Sequence, residues 1–281
     1  MRAHPLKRMA ARTAAAAMVA GGLILGFAGI PALAATPPGG TYTVLGDSYS
    51  AGSGGGMEAG PCLQSPNGYG SDFAAANGLS MTNLACYGAT ISQVSALQVP
   101  LVPPTTRLVT LTVGANDVGA GQVAAACLLG TPETCQGAIA GAQAKLALLP
   151  GQVSALTQTI RAQVPQAQVL FMGYPHLLEP ANMAALGYPP AEVAAAVAVN
   201  AAVDQLNAVL AQSVQRSGAG FVPVAGLFDG HGFPSPDSWL VSPFVSLPLA
   251  FHPTAEGYAS GYAAALQGVQ LNPPLYAEVW R

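Results

Sequence analysis

The sequence predicts a single α/β domain, a three-layer α/β/α sandwich around a five-stranded parallel sheet. Short runs of β-branched and apolar residues alternate with helical patterns between residues 41 and 281. This alternation is typical of a parallel sheet that is covered by helices on both faces. The run at residues 107–113 is β-branched and almost continuously apolar, as expected of a strand buried on both faces. Only 7% of the residues are charged and 51% are hydrophobic, which excludes a disordered chain.

Five strands and four helices can be placed in chain order. The strands are predicted at residues 41–45, 81–86, 107–113, 168–172 and 221–224. The helices are predicted at residues 72–77, 152–163, 191–216 and 254–266. Gly78, Pro165 and Gly218 end the first three helices, and Thr254 is the expected N-cap of the last. Pro223 cannot donate a backbone hydrogen bond, so the fifth strand is expected at an edge of the sheet.

Three long irregular segments follow the first, fourth and fifth strands. They cover residues 52–66, 173–190 and 227–251. Loops of this length in a compact domain are usually functional or disordered. Because the carboxyl ends of parallel strands meet at one edge of a sheet, we expect these loops to surround a site there.

Residues 1–34 predict a secretory signal peptide. Its basic residues precede an apolar stretch at residues 13–30, and Ala32-Leu33-Ala34 offers a cleavage site. An uncleaved N-terminal anchor is the alternative, because the apolar stretch is long. Cleavage near Ala34 leaves a linker at residues 35–40 and the domain at 41–281. It also removes Arg2, Lys7, Arg8 and Arg12 and no acidic residue, so the net charge changes from −3 to −7.

The composition of the mature chain limits its partners. Nine Lys and Arg in the whole chain are too few for a patch that follows nucleic-acid phosphates. No window beyond the signal peptide predicts a transmembrane span, since charged and polar residues flank or interrupt the apolar stretch near residues 194–203. We therefore expect a secreted, extracellular, soluble protein, and a monomer.

Four cysteines fall in the mature part: Cys62, Cys86, Cys127 and Cys135. An even number in an exported chain predicts two disulfides, and the residues themselves leave three pairings open. A metal site is the alternative, but the chain has no C-x-x-C pattern and no histidine near these cysteines. We expect no metal and no cofactor.

Four short motifs carry residue types suited to acyl transfer. Ser48 follows the first strand in Gly46-Asp47-Ser48, Gly88 follows the second, Asn116 follows the third, and His252 precedes the last helix. A serine with a histidine as general base can attack a carbonyl carbon, and a glycine N–H and an asparagine amide can stabilise the resulting oxyanion. Each residue also has a structural alternative: a helix cap, a tight turn, an Asx turn, or a histidine without catalytic role such as His176 or His231.

Together the four blocks resemble the SGNH, or GDSL, family of serine hydrolases, and most of all its secreted actinobacterial lipases and esterases. The resemblance covers essentially the whole mature chain and implies a flavodoxin-like sheet. It implies that Ser48 is the nucleophile, that His252 is the base, and that Ser48, Gly88 and Asn116 form the oxyanion hole. It also implies the disulfides Cys62–Cys86 and Cys127–Cys135.

Two departures from the family pattern matter. The family usually has an Asp three residues before the histidine, where this chain has Leu249. A backbone carbonyl can orient the imidazole as a carboxylate does, so a Ser–His dyad is predicted, oriented by the carbonyl of Leu249 or Ala250. Asp229 or Asp237 is the alternative orienter. Relatives also have a third disulfide between the loops near residues 176 and 232, and this chain lacks both of its cysteines, which predicts looser loops.

The predicted function is hydrolysis of acyl or lipid esters through an acyl-Ser48 intermediate, as in a carboxylesterase or lipase. Two loops bring apolar residues to the expected cleft: Leu177, Leu178, Met183, Leu186 and Tyr188 in one, and Trp239, Leu240, Phe244 and Leu247 in the other. These favour an aliphatic acyl chain. The alternatives are a polysaccharide O-deacetylase of the same family and an inactive surface-binding module.

Overall fold

The computed structural model of the protein describes residues 40–272. The predicted signal peptide at residues 1–34 lies outside the described residues, as does all of the predicted linker except Gly40. The sheet has five strands: β1 Thr41–Gly46, β2 Ser80–Asn83, β3 Thr106–Thr112, β4 Gln168–Met172 and β5 Gly220–Val222. Their order is β2-β1-β3-β4-β5, and each neighbouring pair is parallel. This is the flavodoxin-like order, and it confirms the predicted fold class.

Helices cover both faces of the sheet. They are α1 Ser48–Ala51, α2 Tyr69–Asn77, α3 Ile91–Gln93, α4 Ala115–Val118, α5 Ala120–Leu129, α6 Pro132–Leu146, α7 Leu149–Gln163, α8 Pro180–Ala185, α9 Pro190–Arg216 and α10 Ala264–Gln267. Wider π-helical turns extend α3 through Val94–Gln98 and precede α10 at Gly257–Ala263. Shorter 3-10 turns lie at Val99–Leu101 and Ala225–Phe228.

Two separate hydrophobic cores define the three layers. Alternate residues of each strand point to opposite faces, so Val44 belongs to the core beneath α2 and the last helix, and Leu45 belongs to the core beneath α6, α7 and α9. On β4 the same alternation separates Leu170 from Phe171. Apolar strand side chains are therefore buried on both faces of the sheet, together with Thr43, Thr106, Thr110 and Thr112. This burial contributes to the high hydrophobicity of the chain.

The strand predictions differ from the structure mainly at the ends. The second strand is paired only to Asn83, because the Asn83 side chain accepts the Ala85 N–H at 3.0 Å and turns the chain. Cys86 still donates its N–H to the Gly46 carbonyl of β1 at 3.0 Å. The fifth strand ends at Val222, before Pro223, and lies at an edge as predicted.

The helix predictions missed α5 and α6 and the short helices α1, α3, α4 and α8, and they placed the starts of α2, α7 and α9 too late. Thr254 caps the last helical segment as predicted, since its hydroxyl accepts the Gly257 N–H at 3.3 Å. Disulfides join Cys62 to Cys86 and Cys127 to Cys135, the pairing that the family resemblance implies. The first connects the loop after α1 to the end of β2, and the second connects α5 to α6.

Within residues 40–272 one helix, α9, is long and apolar enough to cross a membrane by length and composition alone. In the structure its Val199, Leu206 and Leu210 are buried in the core on one face of the sheet. Its Asn200 and Asn207 donate hydrogen bonds to backbone carbonyls of the loop after β4, at 2.7 and 2.8 Å. These are the contacts of a core helix in an α/β sandwich.

Candidate active site

The turn between β1 and α1 presents Ser48 at the carboxyl edge of the sheet. Gly46 has a φ of 116°, and a Cβ there would lie 2.2 Å from the Thr112 carbonyl oxygen, so only glycine fits. Asp47 is the N-cap of α1, and its side chain accepts the Tyr49 N–H at 3.0 Å. Ser48 is the first residue of the helix and is 7% exposed. The tight turn therefore directs a nearly buried serine toward the neighbouring strand ends.

The Asp47 carboxylate fixes this turn to two other strands. It is 1% exposed, and it accepts hydrogen bonds from the hydroxyls of Thr112 and Tyr174, both at 2.6 Å. Thr112 ends β3, and Tyr174 follows β4. Burial raises the pKa of Asp47 to about 6, although each of these hydrogen bonds lowers it. The carboxylate is therefore mostly ionised at neutral pH, and its donors hold the serine turn in place.

His252 contacts Ser48 through one ring nitrogen and a backbone carbonyl through the other. Its Nε2 lies 2.7 Å from Ser48 Oγ, and its Nδ1 lies 3.1 Å from the Leu249 carbonyl oxygen. A carbonyl oxygen can only accept, so Nδ1 carries the proton and Nε2 is free to accept the serine proton. Burial lowers the pKa of His252, and the carbonyls of Leu249 and Ala250 and the charge of Glu58 partly oppose that effect. The imidazole is therefore a neutral base at neutral pH.

The predicted oxyanion residues lie on neighbouring segments at the same edge. Gly88 adopts a φ of 76° after the end of β2, and Asn116 lies in α4, directly after β3. The Asn116 amide nitrogen donates to the Ala89 carbonyl at 3.0 Å. The Ile91 N–H donates to both carboxylate oxygens of Asp117, at 3.1 and 3.2 Å. These bonds join the Gly88 turn to the Asn116 turn, and β1 lies between their strands.

The other histidines and the alternative aspartates lie apart from this pair. The Asp237 carboxylate lies 3.2 Å from Nδ1 of His231 and is 76% exposed. His176 pairs with Asp204 at 2.8 Å. Within the described part of the chain, neither Asp229 nor Asp237 is a hydrogen-bond partner of His252. The carbonyl of Leu249 occupies the position that either carboxylate would take.

Comparisons with known proteins relate this arrangement to a family. The model of the family described as "GDSL-like Lipase/Acylhydrolase family" matches residues 44–260, which is most of the chain. The chain belongs to that family. A lipase of Streptomyces rimosus is 35% identical over 230 residues, which make up 80% of this chain and 85% of that protein. Lipase 1 of Streptomyces coelicolor is 33% identical over 233 residues, and the match covers 81% of this chain and 85% of that protein.

Solved structures agree with this assignment. The crystal structure of an extracellular lipase from Streptomyces rimosus has a TM-score of 0.76 and 34% identity, and the match covers 82% of this chain and 99% of that one. The crystal structure of phospholipase A1 from Streptomyces albidoflavus has a TM-score of 0.75 and 34% identity, with 82% and 98% covered. The resemblance inferred from the four sequence blocks is thereby confirmed at the level of family and fold.

This GDSL-like protein has an apolar cavity of about 400 Å³, and neither Ser48 nor His252 is among the described residues that line it. Phe251, the residue before His252, is part of its wall. The other walls come from α5, from α9 and from the two loops predicted to form the cleft, and they include Leu177, Leu178, Met183, Tyr188, Val199, Phe233, Phe244 and Leu247. Among the described residues that line the cavity, only Glu192 is charged.

Three residues predicted for this cleft lie elsewhere. Leu186 is 66% exposed and does not line the cavity. Leu240 is buried in the core beneath the last helix, and Trp239 packs against that core. The Trp239 ring also stacks on His231 with a centroid distance of 3.7 Å. The loop has no regular secondary structure, so its sequence has no periodicity that would show which of its side chains face the cavity.

The two loops that lack the family's third disulfide are nevertheless joined. Leu178 and Phe233 form an isolated parallel β-bridge, and the Glu179 carboxylate accepts the N–H groups of Gly230 and Gly232 at 3.0 and 3.1 Å. These contacts oppose the prediction that the missing cysteines leave the loops loose. Hydrogen bonds therefore hold this wall of the cavity without the third disulfide that the family resemblance implies.

Sequence reasoning missed two tyrosines beside His252. The Tyr49 ring lies 5.1 Å from the imidazole, centroid to centroid, and the Tyr87 ring lies 5.5 Å from it. Tyr49 lies within the Gly46-Asp47-Ser48 block and Tyr87 directly precedes Gly88, so both stand next to residues that the sequence analysis did select. The presence of a tyrosine in each block was the available signal. Without the fold, however, neither the ring contact with His252 nor the hydrogen-bond partner of the hydroxyl can be predicted.

Proposed function

We propose that the protein is a secreted serine ester hydrolase of the carboxylesterase or lipase type that acts through an acyl-Ser48 intermediate. One observation carries the proposal: Nε2 of His252 lies 2.7 Å from Ser48 Oγ while its Nδ1 faces the Leu249 carbonyl. This contact is what a general base needs in order to remove the proton of a nucleophilic hydroxyl. Family membership and relatives named lipase support the same reaction.

In the first half of the reaction, Ser48 Oγ attacks the ester carbonyl carbon as its proton passes to Nε2 of His252. The N–H groups of Ser48 and Gly88 and the Asn116 amide stabilise the oxyanion of the tetrahedral intermediate. When that intermediate collapses, His252 gives the proton to the leaving alcohol and an acyl-Ser48 ester remains. A water molecule then attacks the acyl carbon, again with His252 as base, and releases the carboxylic acid and free Ser48.

The dyad works without a carboxylate on the histidine. The Leu249 carbonyl accepts the Nδ1–H, so it holds the productive tautomer and orientation. It carries only a dipole, so it stabilises the imidazolium less than a charged carboxylate does. The pKa of His252 is lowered by burial, which favours the neutral, basic form of the imidazole.

The cavity supports an acyl or lipid ester as the substrate. Its walls are apolar, it adjoins Phe251, and its volume of about 400 Å³ is in the range of small-molecule sites. A bare acetyl group would leave most of this apolar surface in contact with water, whereas a longer aliphatic chain would cover it. One structural relative is named phospholipase A1, and another is named extracellular lipase.

Secretion is part of the proposal. The predicted signal peptide at residues 1–34 precedes a domain with two disulfides, and disulfides persist in oxidising compartments. The N-terminal sequence of the protein recovered from culture medium tests this point. A mature start near Ala35 is expected, and a start at Met1 would contradict it.

Hydrolysis of p-nitrophenyl esters of increasing chain length tests the function. Ser48→Ala and His252→Asn are each expected to lower kcat by about a thousandfold or more, whereas the controls Ser154→Ala and His231→Asn should retain wild-type kcat. Labelling with a fluorophosphonate should add mass to wild type but not to Ser48→Ala. A preference for medium or long acyl chains supports the proposal. Activity on acetate alone would favour a deacetylase, and full activity of Ser48→Ala would refute the acyl-serine mechanism.

A further inference from the structure

The carbonyl that orients His252 belongs to an irregular, partly exposed segment. Phe244 and Leu247 of this segment are 83% and 63% exposed, and between Val241 and His252 the chain forms only turns and bends. The Leu249 oxygen accepts both the backbone N–H and the Nδ1–H of His252, at 3.0 and 3.1 Å. The Leu249 carbonyl orients the imidazole only while its oxygen points at Nδ1. Other contacts must therefore hold the Leu249 peptide group in place.

Tyr87 contacts this segment and His252 at once. Its hydroxyl donates to the Pro248 carbonyl at 2.6 Å, and its ring stacks on the imidazole with an interplanar angle of 28°. The Pro248 carbonyl and the Leu249 nitrogen belong to one planar peptide unit. A hydrogen bond to that carbonyl therefore restricts the rotation of the unit directly before the Leu249 carbonyl.

Tyr87 is itself held firmly from the other side. It follows Cys86, which is bonded to Cys62, and its N–H donates to the Cys62 carbonyl at 3.1 Å. The next residue is Gly88, whose N–H is proposed to bind the oxyanion. The disulfide thus supports one rigid segment that reaches both the oxyanion site and the histidine segment.

Tyr49 holds the same segment beyond Leu249. Its hydroxyl donates to the Phe251 carbonyl at 2.7 Å, and Phe251 has a φ of 63°, which is unusual for a residue other than glycine. The Phe251 N–H donates to the Val241 carbonyl at 2.9 Å. The backbone is therefore anchored by a tyrosine hydroxyl on each side of Leu249 and Ala250.

We infer that Tyr87 is a positioning residue for His252: by holding the Pro248 carbonyl it keeps the Leu249 carbonyl on Nδ1 of the imidazole. The inference rests on the proposed function, because it assigns Tyr87 a part in supporting the same base. Tyr87 acts on His252 through Leu249 and through its ring, and it takes no part in proton transfer.

Tyr87→Phe removes the hydroxyl and keeps the ring. We expect kcat on a short soluble ester to fall about three- to tenfold, the effect of one hydrogen bond, with KM within about twofold because the cavity wall is unchanged. The acid limb of kcat/KM should also move to lower pH. The Leu249 carbonyl raises the pKa of His252, so a carbonyl that is less well held stabilises the imidazolium less.

Other groups that face His252 stay the same in this variant. They are Ser48 at Nε2, the half-buried Tyr49 ring, the Ala250 carbonyl and the charge of Glu58. A movement of the acid limb in Tyr87→Phe therefore reports on the Leu249 contact. Tyr87→Leu, which also loses the ring, should give a larger fall in kcat and the same direction of movement.

Tyr42→Phe is the matched control. Its buried hydroxyl bonds Thr110, which also contacts the Tyr69 hydroxyl, and it lies in the sheet away from His252. We expect wild-type kcat and an unmoved acid limb, with activity expressed per mole of folded protein from circular dichroism. Tyr87→Phe with unchanged kcat overturns the inference. A lower kcat without movement of the acid limb also overturns it, because it assigns Tyr87 a structural role only. Full activity of Ser48→Ala would instead refute the proposed function.

Discussion

Replacing Asp47 by asparagine is expected to flatten the pH dependence of the protein's stability. The Asp47 carboxylate is buried in the turn that carries Ser48, where it accepts hydrogen bonds from Thr112, Tyr174 and the Tyr49 N–H. Burial is the largest effect on its pKa and raises it from the ordinary value of 3.8 to about 6. In the unfolded chain the same carboxyl group is in water and titrates near its ordinary value.

The sign and the size follow from that difference. Between the two pKa values the folded protein retains a proton on Asp47 that the unfolded chain has released, so stability falls as the pH rises. The contribution is fully present below the unfolded value of 3.8 and is lost as the pH passes through the folded value of about 6. A difference of about two pKa units corresponds to about 3 kcal/mol. The wild-type protein loses this much unfolding free energy between the two pKa values. Asp47→Asn has no carboxyl group to titrate at this position and does not lose it.

Urea unfolding followed by far-UV circular dichroism, with the disulfides intact, measures the effect. The difference in unfolding free energy between Asp47→Asn and wild type should move by about 3 kcal/mol in favour of the variant from pH 4 to pH 7.5. Asp237→Asn is the matched control, because Asp237 is 76% exposed, and its curve should run parallel to wild type. Parallel curves for Asp47→Asn as well would refute the assignment of a raised pKa to Asp47.

A second variant tests the same carboxylate from its partner. The Tyr174 hydroxyl lowers the pKa of Asp47, so Tyr174→Phe should raise that pKa further and extend the loss of stability to higher pH. The steep part of the stability curve should therefore end above that of wild type. If the steep part of the curve ended at a lower pH than in wild type, the Tyr174 hydroxyl would not be donating to an ionised Asp47 carboxylate.

Three further predictions concern the oxyanion site, a disulfide and the cavity. Asn116→Ala should lower kcat by about a hundredfold or more with little change in KM, since such an amide acts in the transition state; an unchanged kcat in steady-state assays would remove Asn116 from the oxyanion site. Cys127→Ser combined with Cys135→Ser should lower the free energy of unfolding by about 2.6 kcal/mol through loop-closure entropy. That variant should keep wild-type kcat, and urea titration compares it with the oxidised wild type. Val199→Trp should shorten the preferred acyl chain in the p-nitrophenyl series by filling the cavity, while kcat/KM on the acetate ester stays the same. An unshifted preference would place the acyl chain elsewhere.

The sheet was predictable because its signal is local. Each strand is a short β-branched or apolar run, and the predicted limits of β4 match the structure. The end of β2 was not predictable, because it depends on which backbone group the Asn83 side chain accepts from. Helices α5 and α6 are rich in Ala and Gly and show little apolar periodicity. Their packing on each other and on α9, together with the Cys127–Cys135 disulfide, defines them better than their own sequences do.

The residues of the site likewise fall into those that the sequence predicts and those that only the fold reveals. Ser48 and His252 could be selected because each lies in a short motif at a strand or helix end. The orienting role of the Leu249 carbonyl followed from the absence of an aspartate three residues before His252, with Ala250 as the alternative. The Tyr87 contact with Pro248 spans 161 positions of sequence, and the Tyr49 contact with Phe251 spans 202. Contacts of that separation depend on the three-dimensional fold, so composition and spacing cannot predict them.

The carboxylate that holds the serine turn is not one of the groups that orient the histidine. The Asp47 carboxylate bonds Thr112 and Tyr174 and holds the turn of Ser48. The groups that raise the pKa of His252 are two backbone carbonyls and Glu58, and Asp47 is not among them within the described residues. Asp47→Asn should therefore change the stability curve and leave the acid limb of kcat/KM in place, whereas Tyr87→Phe should do the reverse. A dyad without a carboxylate on the histidine is consistent with this separation, because the buried Asp47 carboxylate is already engaged in holding the serine turn.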